Sequence, residues 1–301
     1  MISVSQLVSQ VKSGNYLGLA RALTLVENDL EGSADLLKEI RTSDTPVIGI
    51  TGPPGAGKST LVNAMINHLS SEGKSVAVLA IDPTSPFNLG SLLGDRVRMA
   101  EQFNKPNVYI RSLATRGSLG GLSGKTIEMT DVLKSAGFDY ILIETVGVGQ
   151  SEVEIAGLAD ISVVVLVPES GDEIQSMKSG LMEIADIFVV NKSDRDGADA
   201  FANNLKKLVH QRTEIIPVIN TIADKSAGID ELMQAIEDQP IKDNTRRVFL
   251  LAEKAWKLIQ HEKMKNINRM KLQEEIRTAS VDPEFNLYRF VDRILSSTKN
   301  S

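Results

Sequence analysis

The sequence predicts an α/β protein with a doubly wound, mostly parallel sheet, and three observations lead to this fold class. Short runs of β-branched and aliphatic residues recur along the central part of the chain. The runs are apolar at consecutive positions, which is typical of parallel strands that are covered by helices on both faces. Segments with helical spacing of apolar residues separate most of these runs, and such alternation favours a doubly wound sheet.

The strands and helices of this sheet can be assigned in chain order. The predicted strands are PVIGIT 46–51, SVAVLAI 75–81, VYIRSL 108–113, DYILIET 139–145, ISVVVLV 161–167, IFVVN 187–191 and IIPVIN 215–220. Helices are predicted between most of them, at 58–70, 125–136, 174–184, 198–211 and 228–237. In such folds the carboxyl ends of the strands meet at one edge of the sheet, where ligands bind.

Helical segments extend the chain at both ends of this domain. Residues 1–44 have apolar residues at helical spacing and are predicted to form an N-terminal helical extension, which leaves 45–240 for the sheet domain. Residues 241–301 are predicted to form a C-terminal helical arm with a net charge of +5, against −11 for the first 240 residues. Two interpretations of the arm stay open, namely packing on its own domain and dimerisation.

Composition excludes several kinds of site. The 301 residues include no cysteine, which rules out disulfides, cysteine-ligated zinc, iron–sulfur clusters and a thiol nucleophile. His68, His210 and His261 are far apart in the sequence, which argues against a histidine-rich metal site. The net charge of −6 argues against a nucleic-acid partner. No apolar run approaches about 18 residues and no signal-peptide pattern is present, so we expect a cytoplasmic protein without membrane association.

A phosphate-binding loop follows the first predicted strand. Gly52, Gly57, Lys58 and Ser59 match the pattern G-x-x-x-x-G-K-[ST] between a strand and a helix. Glycines let successive backbone N–H groups point toward an anion, and the helix adds its positive N-terminal end. Lys58 is expected to reach the β- and γ-phosphate oxygens, and the Ser59 hydroxyl to ligate Mg²⁺. The predicted phosphate-binding residues are Gly52, Pro53, Pro54, Gly55, Ala56, Gly57, Lys58, Ser59 and Thr60.

A second motif, N-K-x-D, predicts guanine as the base. Asn191 ends the late strand IFVVN, and Lys192 and Asp194 follow it, at the strand edge where ligands bind. The Asp194 carboxylate can accept hydrogen bonds from guanine N1–H and the exocyclic amine, whereas adenine offers no matching pair of donors. A desolvated, unpaired carboxylate is costly, so GTP is favoured over ATP. Asn191 either tethers the loop or meets guanine O6 and N7, and the Lys192 stem can pack over the base.

Acidic residues at strand ends predict a magnesium site. Glu144 lies at the end of DYILIET, in the Walker B position, where an acid orients or ligates Mg²⁺. Gly147 is expected to bring a backbone N–H to the γ-phosphate. Gln150 lies farther from this acid than the water-orienting Gln of Ras-like proteins, so its part in hydrolysis stays open. The candidate metal ligands are Ser59, Asp82, Asp95 and Glu144, although Asp82 and Asp95 can also be a strand-end turn residue and a solvated helix acid.

Together these segments resemble the MeaB/ArgK family, whose members include the methylmalonic aciduria type A protein. The resemblance is close over 45–240, and the blocks that carry it are GPPGAGKST, DPTSPFNLGSLLGDRVRM, RSLATRGSLGGLS, ETVGVGQSE and GDEIQSMKSGLMEIADIFVVNKSD. It implies a P-loop GTPase that converts GTP to GDP and phosphate, slowly without its partner. It also implies a homodimeric chaperone that gates cofactor loading and protects or reactivates an adenosylcobalamin-dependent acyl-CoA mutase, most often methylmalonyl-CoA mutase.

The resemblance also assigns residues by matching motif. Ser59, Asp82, Asp95 and Glu144 fall at positions associated with Mg²⁺ and the switches, and Gln175 and Lys178 fall in the third switch. A lysine there can neutralise charge on the transferring phosphoryl group. The implied catalytic residues are therefore Lys58, Glu144, Gln175 and Lys178.

The sequence departs from the family pattern in two places. The first switch reads FNLGS where a Ser/Thr-Gly-Gly run is more usual, so its conformation stays open. In the loop TIADKSAG, Ile222, Ala223 and Asp224 occupy the positions where many GTPases have Ser-Ala-x, and they are expected to contact the base largely through backbone N–H groups.

Three alternative functions stay open. One is a nickel-insertion GTPase, against which the lack of cysteine and the scarcity of histidine argue, since nickel handling needs such ligands. Another is a transport-associated kinase or ATPase of the ArgK type, which no phosphoacceptor feature or membrane segment supports. The third is a non-enzymatic nucleotide-sensing scaffold, which turnover measured with and without a mutase would separate from a slow GTPase.

Overall fold

A parallel sheet of seven strands forms the centre of the chain. The computed structural model describes residues 2–82, 100–114, 124–145, 151–170, 181–209, 216–240, 245–264, 267–282 and 284–298. Within these residues the strand order is β3-β2-β4-β1-β5-β6-β7, and neighbouring strands pair in parallel. The strands are β1 Val47–Thr51, β2 Val76–Asp82, β3 Val108–Ala114, β4 Tyr140–Thr145, β5 Ile161–Leu166, β6 Ile187–Val190 and β7 Val218–Asn220. The predicted α/β class with a parallel, doubly wound sheet is confirmed.

The last strand is shorter than the sequence pattern indicated. The prediction placed it at 215–220, but β7 begins at Val218, which pairs with Phe188 of β6. The residue before it, Pro217, has no N–H to donate to the ladder, although its carbonyl accepts a hydrogen bond from Phe188 N at 2.9 Å. The proline therefore marks the start of the regular strand.

Helices cover both faces of the sheet, as expected for this fold. In the sheet domain they are α4 Lys58–Ser71, α5 Gly124–Lys134, α6 Ser151–Leu158, α7 Leu181–Ile184, α8 Ala198–Val209 and α9 Ile229–Glu237. Short 3₁₀ helices lie at Ala100–Asn104, Pro168–Ser170 and Ala223–Lys225. Positions 174–180 and 210–211 of the predicted helices lie outside the described residues.

Consecutive strand residues pack into different cores because their side chains alternate between the two faces. On β1, Ile48 and Ile50 join the core beneath α4 and α9, whereas Val47 joins the core on the opposite face. On β5, Val163 joins the core beneath α4 and α9, whereas Val164 joins a separate core cluster. All of these side chains are fully or almost fully buried. This two-sided burial explains why the strands are apolar at every position.

Three helices at the N-terminus share the core of the second face. They are α1 Val4–Lys12, α2 Tyr16–Glu27 and α3 Ser33–Glu39. The first begins with a capping box, in which Ser3 and Gln6 satisfy each other's backbone N–H groups. Leu23 and Leu36 from these helices pack in one cluster with Val47, Leu79 and Ile143 of the sheet. Buried side chains of these three helices thus contribute to a hydrophobic core that also contains strand residues.

Ion pairs add polar contacts between α2 and the sheet domain. Arg111 on β3 pairs with Glu27 at the end of α2 and also donates to Thr24 Oγ1 at 3.3 Å. Lys125 on α5 pairs with Asp29 just beyond α2 and with Glu128 at 2.8 Å. The Arg111 and Glu27 side chains are largely buried, and their pair connects the end of α2 to β3.

The chain divides into two compact units, Met1–Val248 and Phe249–Ser301. The second unit contains most of α10 Thr245–Met264, together with α11 Arg269–Ala279 and α12 Leu287–Thr298. Phe290 is buried there, and the Phe285 ring and the Arg293 guanidinium pack against its ring. Many other large apolar side chains of this unit are exposed, including Phe249, Trp256 and Tyr288. In the described part of the chain, no helix combines the length and the hydrophobicity needed to cross a lipid bilayer.

The position of α2 in the core gives a stability prediction. Leu23→Ala should lower the free energy of unfolding by about 2–5 kcal/mol, because Leu23 is fully buried and its truncation leaves a cavity. Leu17→Ala on the same helix should cost less than about 0.5 kcal/mol, because Leu17 is 61% exposed. Urea denaturation of both variants measures the difference. Equal losses would show that α2 does not share the core of the sheet.

Candidate nucleotide-binding site

The candidate site lies at the carboxyl edge of the sheet, around the end of β1. The connection after β1 runs toward β2 on one side of the sheet, whereas the connection after its neighbour β5 runs toward β6 on the other side, and such a reversal opens a crevice between the two strands. The loop after β1 carries the phosphate-binding motif, and β4 carries Glu144 opposite Ile50 of β1. Asn191 follows β6 directly, and Thr221 follows β7. The parallel topology therefore brings the separate sequence motifs to one edge.

The phosphate-binding loop adopts a conformation that requires glycine. Gly57 has φ of 89° and forms the N-cap of α4, and a Cβ atom there would lie 2.4 Å from Asn191 Nδ2. Gly52 has φ of 136°, and a Cβ atom there would lie 2.1 Å from the Val165 carbonyl oxygen. The two glycines thus satisfy both the backbone conformation and the close approach of β5 and Asn191.

Lys58 places a positive charge within this loop. Its Nζ donates to the Gly52 carbonyl at 2.8 Å and to the Pro53 carbonyl at 2.9 Å, and the residue is buried. The N-cap of α4 is Gly57, which has no side chain that could cap the first turn of the helix. A buried ammonium group beside the N-terminus of a helix suits a phosphate anion.

Ser59 and Glu144 bring two hard oxygens together next to the loop. The Ser59 hydroxyl donates to Glu144 Oε1 at 2.5 Å, and Glu144 is buried. Just beyond, the buried Thr145 hydroxyl donates to Thr51 Oγ1 at 3.0 Å, which links the ends of β4 and β1. A hydroxyl and a carboxylate oxygen are ligands that Mg²⁺ prefers, and Mg²⁺ commonly takes few of them from the protein. The residues present therefore fit a magnesium ion.

The Asn191 side chain joins three loops. Its Nδ2 donates to the Ala56 carbonyl at 2.9 Å, while its Oδ1 accepts from Thr221 Oγ1 at 3.1 Å and from Ala223 N at 3.2 Å. The residue is almost completely buried. The sequence left two roles open for Asn191, namely tethering the loop and contacting guanine. These contacts correspond to the first role.

The other two residues of the N-K-x-D motif, Lys192 and Asp194, make side-chain contacts with different loops. Lys192 has φ of 56°, and its Nζ donates to the Gly55 carbonyl at 2.8 Å. Asp194 is exposed, and its Oδ2 accepts a hydrogen bond from Lys225 Nζ at 2.9 Å. This hydrogen bond from Lys225 is the main cause that lowers the pKa of Asp194, so the carboxylate stays ionised.

A cavity of about 290 Å³ opens between the phosphate-binding loop and this second motif. Gly57 and Thr60 form one side of its wall, and the loops after β6 and β7 form the rest. The residues lining it on that side are Asn191, Lys192, Asp194, Arg195, Ala223 and Asp224. Its size and its polar wall, with a carboxylate at the rim, suit a purine base.

Other predicted site residues either lie outside the described part of the chain or make contacts that differ from those expected. The backbone of Asp82 ends β2, but its side chain lies outside the described part, as do Asp95, Gly147, Gln150, Gln175 and Lys178. Ile222 is not among the described residues that line the cavity, and its backbone N–H and carbonyl pair with Ala227. The Ala223 N–H, which was expected to meet the base, donates to Asn191 instead.

The structure also brings in residues that the sequence motifs do not contain. Thr221 supports Asn191, Thr51 and Thr145 link the two central strands, and Arg195 and Lys225 flank Asp194. Arg195 adjoins the N-K-x-D motif, which could have indicated it. The others depend on strand register and on loop contacts between distant segments.

Known proteins match this chain over most of its length. Residues 19–279 match the family described as methylmalonyl Co-A mutase-associated GTPase MeaB. A protein of Pyrococcus abyssi that is named as a GTPase is 46% identical over 268 residues, covering 86% of this chain and 82% of its own. The Mus musculus protein named methylmalonic aciduria type A homolog, mitochondrial, is 37% identical over 259 residues, covering 78% and 62%.

A solved structure is similar over the whole chain. It is the crystal structure of a protein named LAO/AO transport system kinase, with 27% sequence identity and a TM-score of 0.69. The similarity covers 99% of this chain and 98% of that one.

The close approach of Asn191 to Gly57 gives a binding prediction. Gly57→Ala should lower GDP affinity about tenfold more than Gly55→Ala, because it displaces Asn191 from its buried hydrogen bonds. Gly55 is a matched control, since its φ of 78° is similarly strained for alanine, but among the described residues, its two chain neighbours apart, no atom lies within 4 Å of its Cβ position. Isothermal titration calorimetry measures both affinities, and equal losses would contradict the role of this contact.

Proposed function

The chain belongs to the MeaB family of methylmalonyl Co-A mutase-associated GTPases, and from this membership we propose that it is a GTP-dependent chaperone of an adenosylcobalamin-dependent acyl-CoA mutase. In this role it gates cofactor loading and protects or reactivates the mutase. The observation that carries the proposal is the match of residues 19–279 to a family described by its association with methylmalonyl-CoA mutase. The family match also confirms the resemblance found in the sequence, and the chain is a GTPase with a P-loop fold.

Methylmalonyl-CoA mutase is the first partner to test. The family description names it, and the similar mouse protein has methylmalonic aciduria in its name. Isobutyryl- and ethylmalonyl-CoA mutases share the same cofactor and are further candidates. Because coupling between two binding equilibria is reciprocal, a nucleotide that changes the affinity for the mutase must have its own affinity changed by the mutase.

We assign base selection to the cavity beside Asp194. Guanine offers N1–H and an exocyclic amine, and the two carboxylate oxygens can accept both hydrogen bonds. The low pKa of Asp194 keeps these oxygens ionised, so they remain acceptors at neutral pH. Adenine offers no matching pair, so its binding would desolvate the carboxylate without compensation.

We assign the phosphates to residues 52–60. Lys58 exchanges its contacts with the Gly52 and Pro53 carbonyls for phosphate oxygens, and backbone N–H groups at the N-terminus of α4 donate to the same anion. Ser59 and Glu144 would hold Mg²⁺, with Asp82 and Asp95 as further candidate ligands. When bound, the ion would offset the negative charge of the β- and γ-phosphates.

Hydrolysis would use residues next to the γ-phosphate. We assign Gly147 to donate a backbone N–H, and Gln175 and Lys178 of the third switch to act on the phosphoryl group. The charge of Lys178 would stabilise the transition state in the way an arginine finger does elsewhere.

The proposal includes a homodimer in the cytoplasm. Several large apolar side chains of the second unit are exposed, and their number favours an interface with another copy of the arm. Trp256 and Ile259 on α10 and Tyr288 on α12 are more than half exposed, and Leu287 on α12 is 50% exposed.

A transport-associated kinase is a second candidate, because the structurally similar protein is named as a transport system kinase. A kinase would pass the γ-phosphoryl group to another molecule, whereas a GTPase passes it to water. GTP labelled at the γ-phosphate is incubated with the protein, the mutase and basic amino-acid binding proteins. A kinase would transfer the label to another molecule, whereas a GTPase would release it as free phosphate.

The chaperone role predicts nucleotide-dependent capture of a mutase. The tagged protein with a slowly hydrolysed GTP analogue should retain a cobalamin enzyme from the lysate of the native organism. Lys58→Ala should retain much less, because the loop then lacks the ammonium group that binds the phosphates. Mass spectrometry identifies the partner. Recovery of no cobalamin enzyme, or equal recovery by both proteins, would overturn the proposed partner class.

The base assignment predicts a change of nucleotide preference. Asp194→Asn should weaken GDP binding and favour xanthosine diphosphate, because the amide can donate to xanthine O2 while it accepts from N1–H. Titration calorimetry with both nucleotides measures the change. Unchanged selectivity would remove Asp194 from the base site.

A further inference from the structure

The carboxylate assigned to guanine is held by a lysine from a different loop. Lys225 follows β7, and its Nζ lies 2.9 Å from Asp194 Oδ2 in the loop after β6. We infer that Lys225 is a positioning residue for guanine recognition, which acts by fixing both oxygens of Asp194. This inference rests on the proposed function, because it takes Asp194 as the base-binding residue.

The backbone around Lys225 is well fixed. Lys225 ends the 3₁₀ helix Ala223–Lys225, whose first residue is buried in the core beneath α4 and α9. Ile222 and Ala227 close the loop with two backbone hydrogen bonds, at 3.0 and 3.2 Å. The loop is also tied to Asn191 through Ala223 N. Lys225 therefore extends toward Asp194 from a short loop that is anchored at both ends.

The neighbouring charges leave this contact in place. Arg195, which also lines the cavity, pairs with Glu169, and Lys192 donates to the Gly55 carbonyl. The pKa of Lys225 is raised, chiefly by its hydrogen bond to Asp194, and the charge of Asp224 adds to this effect. Lys225 and Asp194 thus stabilise each other's charged forms.

The contact is compatible with a bound base. A carboxylate offers about four lone-pair directions over its two oxygens. Guanine uses one on each oxygen, and Lys225 uses one more on Oδ2. Hypoxanthine lacks the exocyclic amine and needs only one of the two oxygens. Fixing both oxygens therefore matters more for guanine than for hypoxanthine.

The test compares GDP with inosine diphosphate by titration calorimetry. Lys225→Ala should weaken GDP binding about fivefold and inosine diphosphate binding by less than about twofold, so that discrimination between the two falls. Lys225→Arg should restore the discrimination, since arginine also donates to a carboxylate. Lys207→Ala, which removes an exposed lysine of α8, is the matched control for lost charge and should leave both affinities unchanged.

The results distinguish the inference from the proposed function. One outcome is that Asp194→Asn lowers the discrimination, while Lys225→Ala weakens the binding of both nucleotides equally or of neither. In that case the inference about Lys225 is wrong and the base assignment stands. If Asp194→Asn also leaves the discrimination unchanged, the base assignment fails and the inference fails with it. Loss of discrimination in both variants, with recovery in Lys225→Arg, supports the positioning role.

Discussion

The buried amide of Asn191 is the contact on which the rest of the site depends. It reaches the phosphate-binding loop through the Ala56 carbonyl and the loop after β7 through Thr221 and Ala223. An amide has both donor and acceptor groups, so one side chain can bind a carbonyl acceptor in one loop and hydroxyl and N–H donors in another. Without it, buried partners on both sides would lose their hydrogen bonds, at a cost of about 1–3 kcal/mol for each unsatisfied group. The phosphate end and the base end of the nucleotide site are thus held in fixed register.

The sheet makes this register possible. Parallel pairing places Glu144 opposite Ile50, next to the start of the phosphate-binding loop, and β6 and β7 deliver Asn191 and Thr221 to the same edge. The Thr51 and Thr145 hydroxyls form a hydrogen bond where β1 and β4 end, and Thr145 directly follows Glu144, which contacts Ser59. Rigid strands therefore position the ionic groups, while the chemistry is left to loops whose conformation the strands constrain.

The sequence predicted the parts of the structure that follow from local patterns. The strands and the loop Gly52–Thr60 were found because two-sided burial and a phosphate-binding turn both require particular residues at fixed spacing. Contacts between distant segments carried no such pattern. The Lys225–Asp194 pair joins two loops that are 31 positions apart, and Thr221 became visible as a partner of Asn191 only in the folded chain. Likewise, apolar spacing indicated helices in 1–44 but not which face of the sheet they would cover.

That last placement has a consequence for how the chain fares in a cell. The helices α1 to α3 share a hydrophobic cluster with Val47 and Leu79 of the sheet and with Leu133 of α5. Loss of the segment before Thr45 would expose the apolar side chains that pack against these helices, and exposed apolar surface favours aggregation. A shortened chain that kept every nucleotide-contacting residue would still be a target for degradation.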